Sequence, residues 1–291
     1  MSKDFSNRLA LGTTTFGLDY GINNATGKIS ASEINNILSY AKEKGINTLD
    51  TASVYGDSEI NIGLQLKDLK FNIISKLPDC KNSEVSKHFY KTLENLKQER
   101  IYGYLIHSFD SYKKDNNIWE ELIKLKDEGK VEKIGFSLYY SEDVKAFIDD
   151  GNIPDLIQIP YNVFDRRFEN YFAQLKKLNI EIHTRSVFLQ GLVFKTLKTL
   201  PEYFSKIKGK ITLLNSISEK LKISVSDLCL CFVLLNEYIH KIVIGFDNIE
   251  QLKVLINASS KIDKVKIVYN ELEELKEYGE NIILPFKWKI K

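Results

Sequence analysis

The sequence predicts an α/β protein, a single-domain (β/α)8 TIM barrel with extra helices before the last strand and at the C-terminus. Apolar strand-like runs alternate eight times with helix-like segments along the 291 residues, and the connections are short. The strands are apolar almost throughout, as in a parallel sheet covered by helices. No GxGxxG motif follows the first strand, which disfavours a doubly wound dinucleotide-binding sheet.

The predicted strands are short apolar runs that end at polar residues or turns. They cover residues 8–11, 46–50, 71–76, 102–107, 131–137, 156–160, 180–185 and 242–244.

The predicted helices begin at capping residues and carry apolar residues at helical spacing. The first begins at the capping box Ser30-Ala31-Ser32-Glu33 and ends at Gly45. The others begin near Asp57, Asn82 and Ser141 or span about 119–127, 168–178, 210–221, 226–239 and 248–258. Residues 260–291 form a C-terminal addition to the 1–291 domain, with a helix at about 269–279 and a tail packed on the barrel.

Composition and charge exclude several classes of partner. Lys and Arg number 41 against 39 Asp and Glu, giving a net charge of +2 with both signs interleaved. No basic stripe predicts a nucleic acid or membrane partner, and no run of apolar residues is long enough to span a bilayer. Three cysteines are few for a secreted protein, and no signal-like apolar run is present near Met1. We therefore expect a cytoplasmic protein, a monomer or a small homo-oligomer.

Charged side chains close three consecutive predicted strands. Asp50 ends the second, Lys76 the third and His107 the fourth, while Tyr55 follows five residues after Asp50. A single strand-end Asp often only caps a turn, but three such strand ends are hard to explain by packing. The carboxyl ends of barrel strands form the reaction face, so these side chains are expected to meet there.

This set of residues fits proton delivery to a carbonyl oxygen while hydride arrives at the carbon. Tyrosine alone is a weak acid, with a pKa of about 10. An adjacent ammonium favours the tyrosinate, so Lys76 would tune Tyr55 and Asp50 would keep Lys76 charged and oriented. His107 would orient the carbonyl.

The ordered motifs resemble the aldo-keto reductase family over about residues 8–258. They are GINTLDTASVYG followed by Glu59, the Lys of ISKLP, the His of YLIHS, and then IGFS, IQIPYN and RSVFLQGL. The resemblance implies an NAD(P)H-dependent oxidoreductase that reduces an aldehyde or ketone to an alcohol. It also implies a catalytic tetrad of Asp50, Tyr55, Lys76 and His107.

The resemblance further implies a nicotinamide cofactor site. Ser137 and Gln158 would hold the carboxamide, although Leu138 stands where the family often has Asn. Arg185, followed by Ser186, occupies the position that usually offers a tyrosine ring to the nicotinamide. Gly191 resembles the loop over the pyrophosphate, and Gly12 and Thr13 lie in a small hydroxyl-rich loop that lets a ligand approach the backbone.

The segment that reads the 2′-position of the cofactor departs most from NADPH-binding members. It offers Gly245, Asp247 and Gln251 where a basic residue is usual. An Asp repels a 2′-phosphate and accepts a hydrogen bond from a 2′-hydroxyl, so NADH is expected to serve at least as well as NADPH. This expectation would be reversed if the basic group of Lys241 or Lys253 reached the 2′-phosphate.

Aromatic and polar residues in the loops predict a wall for the substrate. They are Asp19, Tyr20, Phe109, Tyr139, Tyr140, Asn162, Phe164, Arg166, Arg167 and Trp288. The tracts LGTTTFGLDYG, YNVFDRR and RSVFLQG resemble a bacterial subgroup associated with sugar metabolism and surface-polysaccharide synthesis. By that analogy the substrate is a sugar or sugar-nucleotide carbonyl.

Two other function classes stay open. One is a barrel that binds nicotinamide cofactor mainly to regulate a partner, with slow turnover; the other is a lyase using Lys76 as a Schiff base. No metal site is predicted, because Cys229 and Cys231 lie in a helical pattern that points them apart and His88, His183 and His240 lack ligand-spaced partners.

Overall fold

Eight parallel strands close into a barrel in the computed structural model, which describes residues 5–19 and 27–289. The strands pair in chain order, and β8 pairs with β1. They are β1 (Leu9–Gly12), β2 (Thr48–Asp50), β3 (Asn72–Leu77), β4 (Ile101–Ile106), β5 (Val131–Ser137), β6 (Leu156–Pro160), β7 (Glu181–Arg185) and β8 (Lys241–Ile244). The predicted barrel is confirmed.

The helices surround this barrel. They are α1 (Thr14–Gly17), α2 (Ala31–Glu43), α3 (Ser58–Gln65), α4 (Val85–Leu96), α5 (Phe109–Lys114), α6 (Asn117–Asp127), α7 (Asp143–Asp149), α8 (Phe172–Lys177), α9 (Lys208–Leu221), α10 (Val225–Leu234), α11 (Ile249–Asn257), α12 (Ile262–Ile267) and α13 (Glu280–Ile283). Short 3₁₀ segments include Glu169–Tyr171, Leu189–Phe194, Glu202–Ile207, Glu271–Leu275 and Pro285–Lys287. The extra helices before the last strand are α9 and α10.

The C-terminal segment differs from the prediction. The prediction of a helix at about 269–279 is wrong, because only the 3₁₀ segment Glu271–Leu275 forms there. Carbonyl groups that a continuing helix would use are bonded from outside: Leu272 O accepts from Arg166, and Lys276 O accepts from Lys210. The helix predicted for 226–239 ends at Leu234, and the one for 168–178 begins as a 3₁₀ turn.

Strand register brings the polar strand ends to one rim of the barrel. Asp50 is paired with Ile74 and Ser137 with Gln158, while Pro160 is paired with Arg185. Beneath this rim the barrel interior holds a small apolar cluster of Ile74, Leu105 and Leu156. The larger core lies between the strands and the helices. No helix in the described ranges is long and apolar enough to cross a membrane.

Candidate active site

A cavity of about 760 Å³ opens at the carboxyl ends of the strands. This volume lies within the range of roughly 300–1,000 Å³ found for ligand pockets. One part of its wall contains Asp50, Tyr55 and His107, and another part contains Asp247 and Gln251. The cavity wall therefore contains residues from both halves of the barrel.

A buried ion pair lies at the base of the cavity. The Nζ atom of Lys76 is 2.9 Å and 2.8 Å from the two carboxylate oxygens of Asp50, and it also donates to Thr51 O at 2.8 Å. Lys76 is 1% exposed and Asp50 4%. Burial opposes the charge of Lys76, but Asp50 and Tyr55 outweigh it and raise the pKa of the lysine above its ordinary value. The lysine is therefore charged at neutral pH.

Tyr55 lies above this pair on the loop between β2 and α3. The Nζ atom of Lys76 is 5.2 Å from the centroid of the Tyr55 ring. The rings of Tyr55 and His107 meet edge to face, with centroids 6.0 Å apart. The loop is fixed by its backbone, since Tyr55 N donates to Ala52 O at 3.0 Å and Ser58 N donates to Tyr55 O at 3.1 Å.

His107 is held neutral. Burial first, and then the positive charges of Lys76 and Arg185, lower the pKa of His107 to about 3. A neutral imidazole carries one N–H donor and one acceptor, so it can donate a hydrogen bond to an oxygen without competing for its proton. Its backbone N–H donates to Leu77 O at 3.1 Å, which fixes the residue at the end of β4.

The cavity offers a place for an amide group. Gln158 donates its Nε2–H to Asp50 Oδ1 at 2.6 Å, and this fixes the orientation of its amide. The opposite atom, Oε1, is buried and has no hydrogen-bond partner within the described part of the chain. An unpaired buried acceptor is costly, and a nicotinamide carboxamide would supply the missing donor. Ser137, in register with Gln158, lies beside it in the cavity wall.

Small residues line the cavity where a ligand would pass close to the backbone. A Cβ on Gly12 would lie 3.0 Å from Val243 Cγ1 and 3.1 Å from Ile244 O. The segment after β7 has left-handed backbone at Ser186, Leu189 and Gln190, with φ angles of 63°, 45° and 50°. Gly191 follows with φ 90° and lines the cavity. Together these features fit an extended nicotinamide dinucleotide.

Arg185 places a positive charge in the cavity wall. Its Cζ lies 4.1 Å from the centroid of the Tyr139 ring. Its Nη2 donates to Leu138 O at 3.1 Å, and its Nη1 lies 3.4 Å from Ser186 Oγ. It is the only Lys or Arg among the described residues that line the cavity.

The part of the wall at the start of α11 is acidic and polar. Gln251 accepts from Asp247 N at 2.9 Å and donates to Asp247 Oδ2 at 3.2 Å. Glu250 lines the same region and forms an ion pair with Lys253 at 2.7 Å. Lys241 lies at the start of β8, at the opposite end of that strand, and donates to Asn7 O at 2.6 Å. Lys241 therefore lies away from this region, which removes it as a basic group for a 2′-phosphate there.

The structure brings together most of the residues expected for a cofactor. Gly12, Ser137, Gln158, Arg185, Ser186, Gly191, Gly245, Asp247 and Gln251 all line the cavity. Thr13 does not line the cavity. It is buried behind the wall, where its hydroxyl donates to Asp50 O at 2.9 Å, so it supports β2 instead of contacting a ligand. Sequence reasoning missed Phe194, Ser226, Glu250 and Val254 in the wall. Of these four residues, only Glu250 could have been found from the sequence, because it lies in the first turn of the helix that follows Asp247.

The residues expected to bind substrate are mostly elsewhere. Tyr139 lines the cavity, whereas Tyr20 lies outside the described residues. Phe109 is 4% exposed and packs on Phe136, and Phe164 is fully buried. Both are core residues and do not line the cavity, contrary to the expectation that they bind substrate. Arg166 is 1% exposed and pairs with Glu273, which removes it from the reach of a substrate.

The other loop residues are absent from the described cavity wall, and most of them have structural partners. Asn162 donates to Ser186 O at 2.9 Å, Arg167 pairs with Asp165 at 2.8 Å, and Trp288 donates to Ile282 O at 2.9 Å. Asp19 is exposed, and Tyr140 lies against Lys287. No group of His, Cys, Asp or Glu in residues 5–19 and 27–289 is arranged to hold a metal ion.

The comparison with family models identifies a family, and the comparison with solved structures supports the fold. The family model described as the Aldo/keto reductase family matches residues 8–277. The holo form of an aldo-keto reductase from Bacillus halodurans is similar to this chain, with a TM-score of 0.73, 19% identity, and 94% of each chain covered. The apo form gives a TM-score of 0.72 and 21% identity with the same coverage. No curated protein matches the chain.

Proposed function

The chain belongs to the aldo-keto reductase family and is an NAD(P)H-dependent oxidoreductase, and on this premise we propose that Tyr55 donates the proton to the substrate carbonyl. The reaction reduces an aldehyde or ketone: one hydride and one proton are added, and an alcohol forms. The reduced nicotinamide, when bound, supplies the hydride to the carbonyl carbon. The observation that carries the proposal is the buried Asp50–Lys76 pair beneath Tyr55 in the wall of the cavity.

The charges of the site support this division of roles. When Tyr55 gives up its proton to the carbonyl oxygen, the ammonium of Lys76 stabilises the phenolate that remains. Asp50 holds that ammonium with two hydrogen bonds and keeps it charged. His107 is neutral, so it donates an N–H to the carbonyl oxygen and orients it toward Tyr55.

The same charges disfavour the lyase alternative. A Schiff-base lysine must be neutral to attack a carbonyl, and such lysines have a lowered pKa. The pKa of Lys76 is raised, and its three hydrogen bonds are directed to Asp50 and Thr51.

A screen for carbonyl-dependent oxidation of NADH and NADPH tests the proposed function. Aldoses, ketoses and sugar nucleotides are the first substrates, since we propose a sugar or sugar-nucleotide carbonyl from the resemblance of the LGTTTFGLDYG, YNVFDRR and RSVFLQG tracts. Tyr55→Phe should retain cofactor binding and lose roughly 10²–10⁴-fold in kcat.

Tyr90→Phe is the matched control. Tyr90 is 46% exposed on α4, its hydroxyl donates to Glu128, and it does not line the cavity. Equal rates for wild type and Tyr55→Phe would contradict the role of Tyr55. Tight cofactor binding with negligible turnover on every carbonyl would favour the regulatory barrel instead.

We further propose that NADH is the preferred coenzyme. Asp247 and Glu250 line the cavity, and neither Lys241 nor Lys253 is among its lining residues. A 2′-phosphate would therefore meet carboxylates, whereas a 2′-hydroxyl would find acceptors. We expect kcat/KM to be roughly tenfold higher with NADH than with NADPH. A tenfold difference corresponds to the free energy of one modest unfavourable interaction between the carboxylates and a 2′-phosphate.

Removing the carboxylate charge should narrow this difference. Asp247→Asn is expected to raise kcat/KM for NADPH and to change that for NADH little, as seen in steady-state kinetics with both coenzymes. Glu94→Gln, on the exposed side of α4, is the control for loss of one negative charge. A hundredfold preference of the wild type for NADPH would overturn the assignment.

We also propose that the protein works in the cytoplasm as a monomer or a small homo-oligomer. The free thiols of Cys80, Cys229 and Cys231 support the cytoplasmic location, since free thiols are expected in a reducing compartment.

A further inference from the structure

The guanidinium of Arg185 is a half-buried cation in the cavity wall, and it has no carboxylate partner among the residues that the structure describes. Within the described ranges, no Asp or Glu oxygen lies within 4.0 Å of it, and its hydrogen bonds go to the neutral groups Leu138 O and Ser186 Oγ. Tyr139 lies against it with 4.1 Å between the Cζ atom and the ring centroid. A positive charge in this position acts on whatever occupies the cavity, because no local anion neutralises it.

The other charges at this end of the cavity are already balanced. Asp50 is compensated by Lys76 through two hydrogen bonds, and its Oδ1 also accepts from Gln158. His107 is neutral at physiological pH. The remaining charge of this part of the wall is therefore the single positive charge of Arg185.

The guanidinium lies next to the groups that fit a carboxamide. Its Nη2 donates to the carbonyl of Leu138, the residue that follows Ser137. Ser137 is in register with Gln158, whose Oε1 is the buried acceptor without a partner. A nicotinamide whose carboxamide is held by Ser137 and Gln158 would therefore bind in the part of the cavity wall that contains Arg185.

We propose that Arg185 makes the site select the reduced coenzyme over the oxidised one. The nicotinamide ring is neutral in NADH and carries a positive charge in NAD⁺, so the guanidinium repels only the oxidised form. The chain thus binds NADH more tightly than NAD⁺ and releases the oxidised coenzyme readily after each reduction. The inference rests on the proposed function, because it requires a nicotinamide in this cavity.

This selection has a redox consequence. Stabilising the bound reduced form relative to the oxidised form raises the reduction potential of the bound couple. A tenfold ratio of dissociation constants corresponds to about 30 mV for a two-electron couple. The overall equilibrium in solution is unchanged, while occupation of the site by NAD⁺ as a product inhibitor is reduced.

The test is the ratio of dissociation constants, Kd(NAD⁺)/Kd(NADH), measured by titration without any carbonyl substrate. We expect Arg185→Gln to lower this ratio roughly tenfold, mainly by tightening NAD⁺. Arg185→Lys retains a positive charge and should keep most of the ratio. ADP-ribose, which lacks the nicotinamide, should bind the wild type and Arg185→Gln equally.

Two controls separate charge from packing and folding. Arg100→Gln makes the same substitution at an exposed residue paired with Glu132 at 4.0 Å, and it should leave the ratio unchanged. Thermal unfolding of each variant establishes that it is folded, and the inhibition constant of NAD⁺ against NADH gives a second measure of the ratio.

The outcomes are distinct. A ratio that is the same in wild type and Arg185→Gln, or that falls as much in Arg185→Lys as in Arg185→Gln, would overturn the proposal while leaving the proposed function intact. Wild-type protein that binds neither NADH nor NADPH would overturn the proposed function itself. A tenfold fall confined to Arg185→Gln supports the charge-based selection.

Discussion

Asp50 and Lys76 are two charges buried at the carboxyl ends of the barrel strands. Each is at most 4% exposed, and each has lost most of its hydration. The pair is tolerated because Lys76 donates to both oxygens of Asp50 and to Thr51 O, while Gln158 donates to Asp50 as well. A buried pair of this kind is weak evidence for stability and stronger evidence for a chemical role.

Removing one member of this pair should cost both stability and activity. Lys76→Met leaves the Asp50 carboxylate buried without a counter-charge, so we expect the free energy of unfolding to fall by about 3–5 kcal/mol. The rate should fall as well, because the phenolate of Tyr55 loses its stabilising ammonium. Denaturant unfolding and steady-state kinetics measure the two effects.

The double variant Asp50→Asn/Lys76→Met separates stability from catalysis. With both charges gone, much of the lost stability should return, because no unpaired charge remains in the interior. The rate should stay low. Recovery of the rate together with stability would show that Lys76 has only a structural role.

Some residue roles could be inferred from the sequence and others could not. Asp50, Lys76 and His107 were visible because each is an ionisable side chain at the end of an apolar run, which is a pattern of neighbouring residues. Arg166 was misassigned because the pair Arg166-Arg167 has the pattern of an exposed surface. Its partner Glu273 is more than one hundred positions away, and only the closed barrel brings them together.

The loop that carries Tyr55 depends on a close approach between α1 and α3. A Cβ on Gly17 would lie 1.8 Å from Tyr55 O and 2.4 Å from Ser58 N. On the other side Gly56 has φ 57°, and a Cβ there would lie 2.5 Å from Gly17 O. Two glycines therefore allow two backbones to touch at the point that positions the candidate proton donor.

Gly17→Ala should displace this loop. The nearest atoms to the added methyl group all belong to the backbone and not to a flexible side chain that could move, so we expect a loss of about 1–3 kcal/mol in the free energy of unfolding. We also expect kcat to fall, because Tyr55 O is the nearest atom. Thermal unfolding and kcat are the measurements.

Gly209→Ala is the matched control, because a Cβ at this position in α9 meets nothing within 4 Å. This variant should be neutral or slightly stabilising, since Ala is the better helix former. Equal behaviour of the two variants would contradict the role assigned to Gly17.

The elements that the sequence predicted well are those defined by local periodicity. Strands β5 and β6 have the predicted bounds, because each is an apolar run between turns. The helix predicted at 269–279 failed because its local pattern is helical while its carbonyl groups are bonded by Arg166 and Lys210 from distant parts of the chain. Tertiary hydrogen bonds overrode local propensity there.

The whole barrel separates two polar regions by an apolar layer. The reaction face lies at the carboxyl ends of the strands, and Ile74, Leu105 and Leu156 fill the interior below it. Toward the other end, Glu181 accepts from Tyr102 at 3.0 Å and from Lys133 at 2.5 Å. Burial favours the protonated form of Glu181, but the neighbouring His183, whose Nε2 lies 3.4 Å from Glu181 Oε2, and Lys133 outweigh burial and lower the pKa of Glu181 to about 2.

These shifts predict how the stability of the molecule depends on pH. In the folded protein the pKa of His107 is about 3, against an ordinary value of 6.5, so between these values the unfolded chain binds a proton that the folded chain does not. The free energy of unfolding therefore rises with pH in this window and falls as the pH is lowered through it. The lowered pKa of His183 acts in the same direction, and that of Glu181 adds to the loss below about pH 4.5.

His107→Gln isolates the contribution of the residue at the reaction face. Glutamine is neutral and polar, so the variant lacks this titration and retains those of His183 and Glu181. We expect its free energy of unfolding to run parallel to that of the wild type above about pH 7.5 and to fall less steeply than the wild type between pH 6.5 and 4. Denaturant unfolding across this range measures both curves. Curves that stay parallel throughout would mean that His107 takes up its proton as readily in the folded protein as in the unfolded chain, and the neutral imidazole assigned to the carbonyl oxygen would have to be abandoned.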